Sequence, residues 1–170
     1  ACMTDAIVVF VSVEIDMQQY VVMDFDQVVE QYHLALGEFA KGNPGPANAL
    51  LSRRGDVSLA GGFGGVTRGW EDVSKNIEFA SSQFKEGQIS LENLAKYATQ
   101  DLGYIVEIER YKAKLFGTED VAQNVLRVTS VFRREDGVWK LLHRHGDPIP
   151  AMLALVQALP KTVVSIREAD

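Results

Sequence analysis

Near its C-terminal end the chain reads "WKLLHRHGDP" (Trp139–Pro148), which brings His143, Arg144, His145 and Asp147 into one short stretch. An imidazole titrates near neutrality, so His143 or His145 could pass a proton to or from a reacting atom, with Asp147 as a further carboxylate. A metal pair is a second reading, because residues i and i+2 of a strand share a face about 7 Å apart at Cα. It needs a third ligand, and Asp147 is the sole nearby candidate. The third reading is structural, with the imidazoles bonded across a sheet or a dimer contact. No bound metal or other cofactor is expected, since the acidic residues are scattered without metal-ligand spacing.

Other polar residues raise the same choice. Tyr32 lies on an apolar helical stripe, where its hydroxyl could donate to a ligand oxygen or simply bond a neighbour in the core. Glu107, Glu109 and Tyr111 alternate along one strand and are expected to face Arg127 and Arg133 in a cross-strand charge ladder on a solvent or dimer face. The loop "GGFGG" (Gly61–Gly65) lacks the Lys-Ser/Thr of a phosphate loop and the GxGxxG spacing of a dinucleotide fold. It therefore reads as a turn. Trp70 follows it at a helix start and is expected to close one end of the fold.

The elements that must hold these residues follow from periodicity. Asp24 is a plausible N-cap, after which Phe25, Val28, Val29, Tyr32, Leu36 and Phe39 recur at helical spacing until Gly42 and Pro44. "PANALLS" is a short second helix. Residues 56–69 form a strand running into the glycine loop, and residues 70–84 form another long helix. From Ile89 the period changes to two, predicting four consecutive strands over 89–100, 102–116, 121–135 and 137–145. The last two join at the turn "EDG". Helices first and a long antiparallel sheet afterwards make the fold α+β, with helices on one face of a curved sheet.

The bulk properties bound the function. The chain has 170 residues, 46% hydrophobic and 24% charged, with a net charge of -6. That length suits one domain with a full core. The negative charge argues against nucleic acid, whose phosphates need a concentrated basic face. The single cysteine, Cys2, leaves no internal disulfide, so a cytoplasmic location is expected. The run "AIVVFVSVEI" (Ala6–Ile15) is about half the ~20 residues of a membrane-spanning helix, so no membrane partner is expected. It reads as a strand. Residue 1 is alanine, so the chain start is expected to be processed or engineered, with Met23 a candidate natural start and residues 1–22 an arm. After Pro148 an apolar helix, "AMLALVQAL", is expected within a C-terminal extension over residues 149–170. Its Met152, Leu153, Leu155, Val156 and Leu159 would cover a pocket mouth or a partner subunit. "TVVSI" reads as a further strand.

Three stretches carry a resemblance to the NTF2-like superfamily. "VVEQYHLAL" resembles the first helix of ketosteroid isomerases, and "FGGVTRGWEDV" resembles the loop and helix start of SnoaL-like proteins. "VTSVFRREDGVWKLLHRHGDP" is similar to the terminal hairpin of SnoaL-like proteins and of the association domain of calcium/calmodulin-dependent kinase. The resemblance spans about residues 24–148, and residues 23–148 are taken as the domain. It implies a cone whose curved sheet wraps the first helix around an apolar pocket, commonly in a homodimer built through the sheet. The isomerase tyrosine falls on Tyr32. The general-base aspartate falls most nearly on Gly61, which offers no base, and the second oxyanion donor falls near Ser130. The comparison also favours Leu142 and Arg144 as pocket-facing, with the histidines on the outer face, although one bulge would reverse this.

Because this fold hosts isomerases, dehydratases, hydrolases, cyclases and assembly modules, two classes of function remain open. One is cofactor-free acid/base catalysis on a hydrophobic carbonyl compound, using Tyr32 with His143, His145 or Asp147. The other is a non-catalytic ligand-binding or oligomerisation module, with Arg144 or Arg127 as polar anchor and Trp70, Ser130 and Leu142 about the ligand. Poor steroid isomerase activity is expected of either.

Overall fold

The computed structural model describes residues 23–62, 64–115, 119 and 121–149. The arm over residues 1–22 and the extension beyond residue 149, with the strand and helix expected there, lie outside the described residues. Three helices, α1 (Phe25–Ala40), α2 (Gly45–Leu50) and α3 (Trp70–Ser82), accompany six strands. The strands are β1 (Ser58–Ala60), β2 (Val66–Arg68), β3 (Phe84–Ala98), β4 (Leu102–Leu115), β5 (Val121–Glu135) and β6 (Val138–Pro148). They form one sheet in the order β2-β1-β6-β5-β4-β3, antiparallel throughout except where β1 runs parallel to β6. This is the α+β architecture predicted from the pattern. Within residues 56–69 the expected strand is the three-residue β1, which runs into the glycine loop, and a second three-residue strand, β2, returns from the loop to pair with it. There Gly64 and Gly65 take φ of +87° and +76°, the left-handed region a tight turn needs.

Helix α1 begins where the sequence signals it. The Asp24 carboxylate accepts from the Gln27 N–H at 2.8 Å, and the Gln27 side chain accepts from the Asp24 N–H at 3.0 Å. This reciprocal box satisfies two amide donors that the first turn leaves without partners. The apolar stripe then faces the sheet, burying Phe25, Val28, Val29, Tyr32, Ala35 and Leu36. Phe132 meets both Phe25 and Tyr32 edge-on, at centroid separations of 5.6 and 5.4 Å. Trp139 closes the same cluster beside Phe25. The far end of α1 lies directly on strand backbone. A Cβ on Gly87 of β3 would stand 2.1 Å from the Ala40 carbonyl oxygen, so only glycine permits this approach.

The sheet register assigns the faces. On β4, Ile105, Glu107, Glu109, Tyr111 and Ala113 are buried, and on β5 the inward set is Leu126, Val128, Ser130 and Phe132. Glu107 and Glu109 are therefore interior groups, and the outer charge ladder expected for them does not form. On β6, Leu141 pairs with Phe132 while His143 pairs with Val131, which leaves Leu142 without a partner on β5. This bulge switches the inward side of the strand. Trp139 and Leu141 point in before it, and Arg144 and Gly146, opposite Ser130 and Val128, point in after it.

Candidate functional site

Between α1, α3 and the inner face of the sheet lies a cavity of about 90 Å³. That exceeds the ~10–15 Å³ a single water needs. Leu36, Phe39, Leu59, Ile77, Ala80 and Leu141 make most of its walls apolar, and Gly61 and Gly62 border it from the loop after β1. Its polar lining consists of Tyr32, Tyr111, Asn76, Asn124 and Arg144.

These polar groups are organised around one buried ion pair. Arg144 Nη2 donates to Glu109 Oε2 at 2.5 Å, and the two side chains are 13% and 0% exposed. Arg144 Nε donates to the Tyr32 hydroxyl at 3.1 Å, and that hydroxyl shares a 3.0 Å hydrogen bond with Ser130 Oγ. Tyr111 donates to the same Glu109 oxygen at 2.8 Å. The cluster spans α1, β4, β5 and β6. Burial pushes the Tyr32 phenol up to about 12 despite Arg144 beside it, so it is protonated at neutral pH. Burial, reinforced by Glu109, likewise raises Tyr111 well above its ordinary value. Burial opposes charge on Arg144, yet the adjacent carboxylate and phenols hold it protonated even more firmly than usual. The result is a fixed array of protonated donors around one carboxylate, beside mostly apolar walls.

A second polar cluster lies beside the first on β4. His33 Nε2 is 2.7 Å from Glu107 Oε1, and Asn93 reaches the same oxygen at 3.4 Å. Glu107 is buried, whereas His33, on α1, is partly exposed. Sequence reading overlooked His33, Asn76 and Asn124, and it placed Glu109 and Tyr111 in an outer charge ladder.

The sequence-nominated residues divide into two groups. Tyr32, Ser130 and Arg144 come together in the cluster, and Gly61 stands on the cavity wall. His143, His145, Asp147 and Arg127 gather elsewhere. By register His143 lies opposite Val131 and Tyr104 follows in line, so this is the outer face of the sheet. Ser58 Oγ and His143 Nδ1 are 2.8 Å apart, His145 Nε2 lies 3.1 Å from Asp147 Oδ1, and Arg127 reaches Asp147 at 3.5 Å. Burial and the nearby His145 lower the His143 pKa, against a hydrogen bond to the Ser58 backbone that raises it. Among the described residues, no three His, Cys, Asp or Glu side chains are grouped to hold a metal ion. Trp70 packs on the core with the Arg53 guanidinium 5.0 Å above its ring, and Leu142 occupies the bulge; neither lines the cavity. No described helix is long and apolar enough to cross a membrane.

Comparison with known proteins bears on this geometry. A family model described as "SnoaL-like domain" matches residues 25–152. No curated protein matches the chain in sequence. Among solved structures, an NTF2-like superfamily protein from Salmonella enterica serovar Typhimurium superposes with a TM-score of 0.65 at 16% identity, covering 72% of this chain and 89% of its own. A proposed dehydratase of the NTF2-like family from Streptomyces avermitilis gives 0.60 at 22% identity, covering 73% and 97%. A ketosteroid isomerase-like protein from Erwinia carotovora atroseptica gives 0.62 at 12% identity, covering 73% and 92%. At these identities the superpositions establish a shared fold.

Proposed function

The chain belongs to the SnoaL-like family, and from that premise we propose that it is a small-molecule-binding protein whose ligand occupies the cavity beside Arg144. The observation that carries this reading is the combination of an apolar cleft with a pre-built polar end, Tyr32–Arg144–Glu109. Ligand sites are characteristically apolar hollows with a few fixed polar groups. A hydrophobic molecule with one hydrogen-bonding oxygen fits such a site, its carbon skeleton among Leu36, Ile77 and Leu141 and its oxygen at Arg144.

Binding without acid/base turnover is better supported than catalysis. Gly61 stands on the cavity wall without a base, and His143, His145 and Asp147 are separated from the cavity by the thickness of the sheet. Tyr32 would polarise a ligand oxygen in a catalytic version of the site, but the described residues lining the cavity include no carboxylate or imidazole to move a proton.

A homodimer is part of the same proposal. Tyr97, Tyr104 and Val131 are aligned across the outer face, with Tyr97 and Tyr104 58% and 40% exposed. A second copy would bury this band along with His143.

Titration with a panel of small aromatic and alicyclic compounds, followed through the backbone amide signals of Gly61 and Gly62, tests the ligand site. Shifts confined to cavity residues are expected, and they should vanish in an Ala80→Leu variant whose added carbons occupy the space. A panel without any such compound would sink the reading.

A further inference from the structure

Among the described residues lining the cavity, Arg144 alone carries a charge. An arginine in an apolar hollow ordinarily invites a carboxylate or phosphate. Here its charge is already matched. Glu109 holds Nη2 at 2.5 Å and is itself 0% exposed, fastened by Tyr111 at 2.8 Å. A carboxylate so enclosed has no route by which to swing into water and release the guanidinium. A ligand carboxylate would therefore bring a second negative charge to a cation that already holds one, and would lose its own hydration in doing so.

A neutral acceptor meets no such opposition. Arg144 Nη1 makes no hydrogen bond to the described residues, while Nε and Nη2 are taken by Tyr32 and Glu109. The remaining polar lining is neutral too. Asn76 and Asn124 border the cavity, and neither amide side chain is hydrogen-bonded to the described residues. Each offers a donor and an acceptor without charge. From this balance we infer that the cavity selects electrically neutral ligands, namely ketones, amides or alcohols on an apolar skeleton, and rejects their carboxylate counterparts. Glu109 is the residue that sets the preference. The inference rests on the reading of the cavity as a ligand site.

Acetophenone and benzoate test it, being close in shape and different in charge. Their affinities are measured at pH 7.5 by titration of the amide signals of Gly61 and Gly62, in the wild type and in Glu109→Gln. The wild type is expected to bind acetophenone and to bind benzoate weaker by about tenfold or more. Glu109→Gln, checked for native circular dichroism, frees the guanidinium charge and is expected to raise benzoate affinity about tenfold relative to acetophenone. Should that variant not fold, the wild-type pair alone decides the selectivity. Equal or tighter benzoate binding in the wild type overturns the inference and leaves the ligand site intact. A folded Glu109→Gln with unchanged benzoate affinity relative to acetophenone removes Glu109 from its assigned role. Binding of neither probe removes the ligand-site reading, and the selectivity with it.

Discussion

At Gly61 a Cβ would meet no atom within 4 Å, and its φ is outside the left-handed region that demands glycine. The position therefore accepts a side chain, and the family resemblance implies that a proton-abstracting carboxylate would stand there. Gly61→Asp is expected to change unfolding free energy by less than about 1 kcal/mol in urea denaturation. It should also raise the rate of isomerisation of a β,γ-unsaturated ketone, since a positioned base is worth about 10²–10⁴. Enzyme-like isomerisation by the unsubstituted protein would contradict the binding role argued for the site. His143 makes a different prediction, about pH. Burial and His145 lower its pKa from the ordinary 6.5, so the unfolded chain takes up this proton before the folded one does. The contribution to stability is complete above pH 6.5 and is lost as pH falls from there through the lowered folded value. Melting temperatures between pH 7.5 and 5 should fall less steeply in His143→Gln than in the wild type; parallel curves would show that His143 is not the titrating group.

At the scale of elements, two backbone irregularities do the positioning. The β6 bulge at Leu142 turns Arg144 into the cavity opposite Ser130 while leaving His143 on the outer face. Without that extra residue the strict alternation from Trp139 and Leu141 would carry the histidines inward in place of the arginine. The second irregularity is on β3, where pairing with β4 shifts between Lys85 and Gln88 and Gly87 receives the end of α1. Because the clashing partner is the Ala40 backbone, no rotamer change relieves it. Gly87→Ala is expected to destabilise by about 3 kcal/mol, near the upper end of overpacking losses. Its denaturation midpoint measures this. A midpoint equal to the wild type would mean that α1 is seated less closely on β3 than described.

For the whole molecule, the unpartnered outer face is decisive. The cone buries its inner face on α1 and α3, and the outer band of Tyr97, Tyr104 and Val131 has no cover within the described chain. Sedimentation velocity at micromolar concentration is expected to show a dimer, and Tyr104→Glu, which leaves the inner core untouched, is expected to give a folded monomer. A wild-type monomer at that concentration would refute the sheet-to-sheet assembly.

Much of this protein follows from local pattern. The stripe from Phe25 to Leu36, the Asp24–Gln27 cap and the period-two runs define α1 and the four long strands, because helical and extended backbones each impose their own side-chain spacing. That spacing put Tyr32 on the buried stripe, whereas Ser130 and Arg144 were nominated by the family resemblance. It could not say which face of β4 is interior, since Tyr104, Val106 and Ile108 are as apolar as the set that contains Glu107 and Glu109. Nor could it reveal the bulge at Leu142, which has no marker residue such as glycine. Inside and outside were decided when β5 paired with β4 and β6. A strand's faces are equivalent until its neighbours give it a register, and one unpaired residue exchanges them. The pairing of Arg144 with Glu109 across three strands exists only at that level.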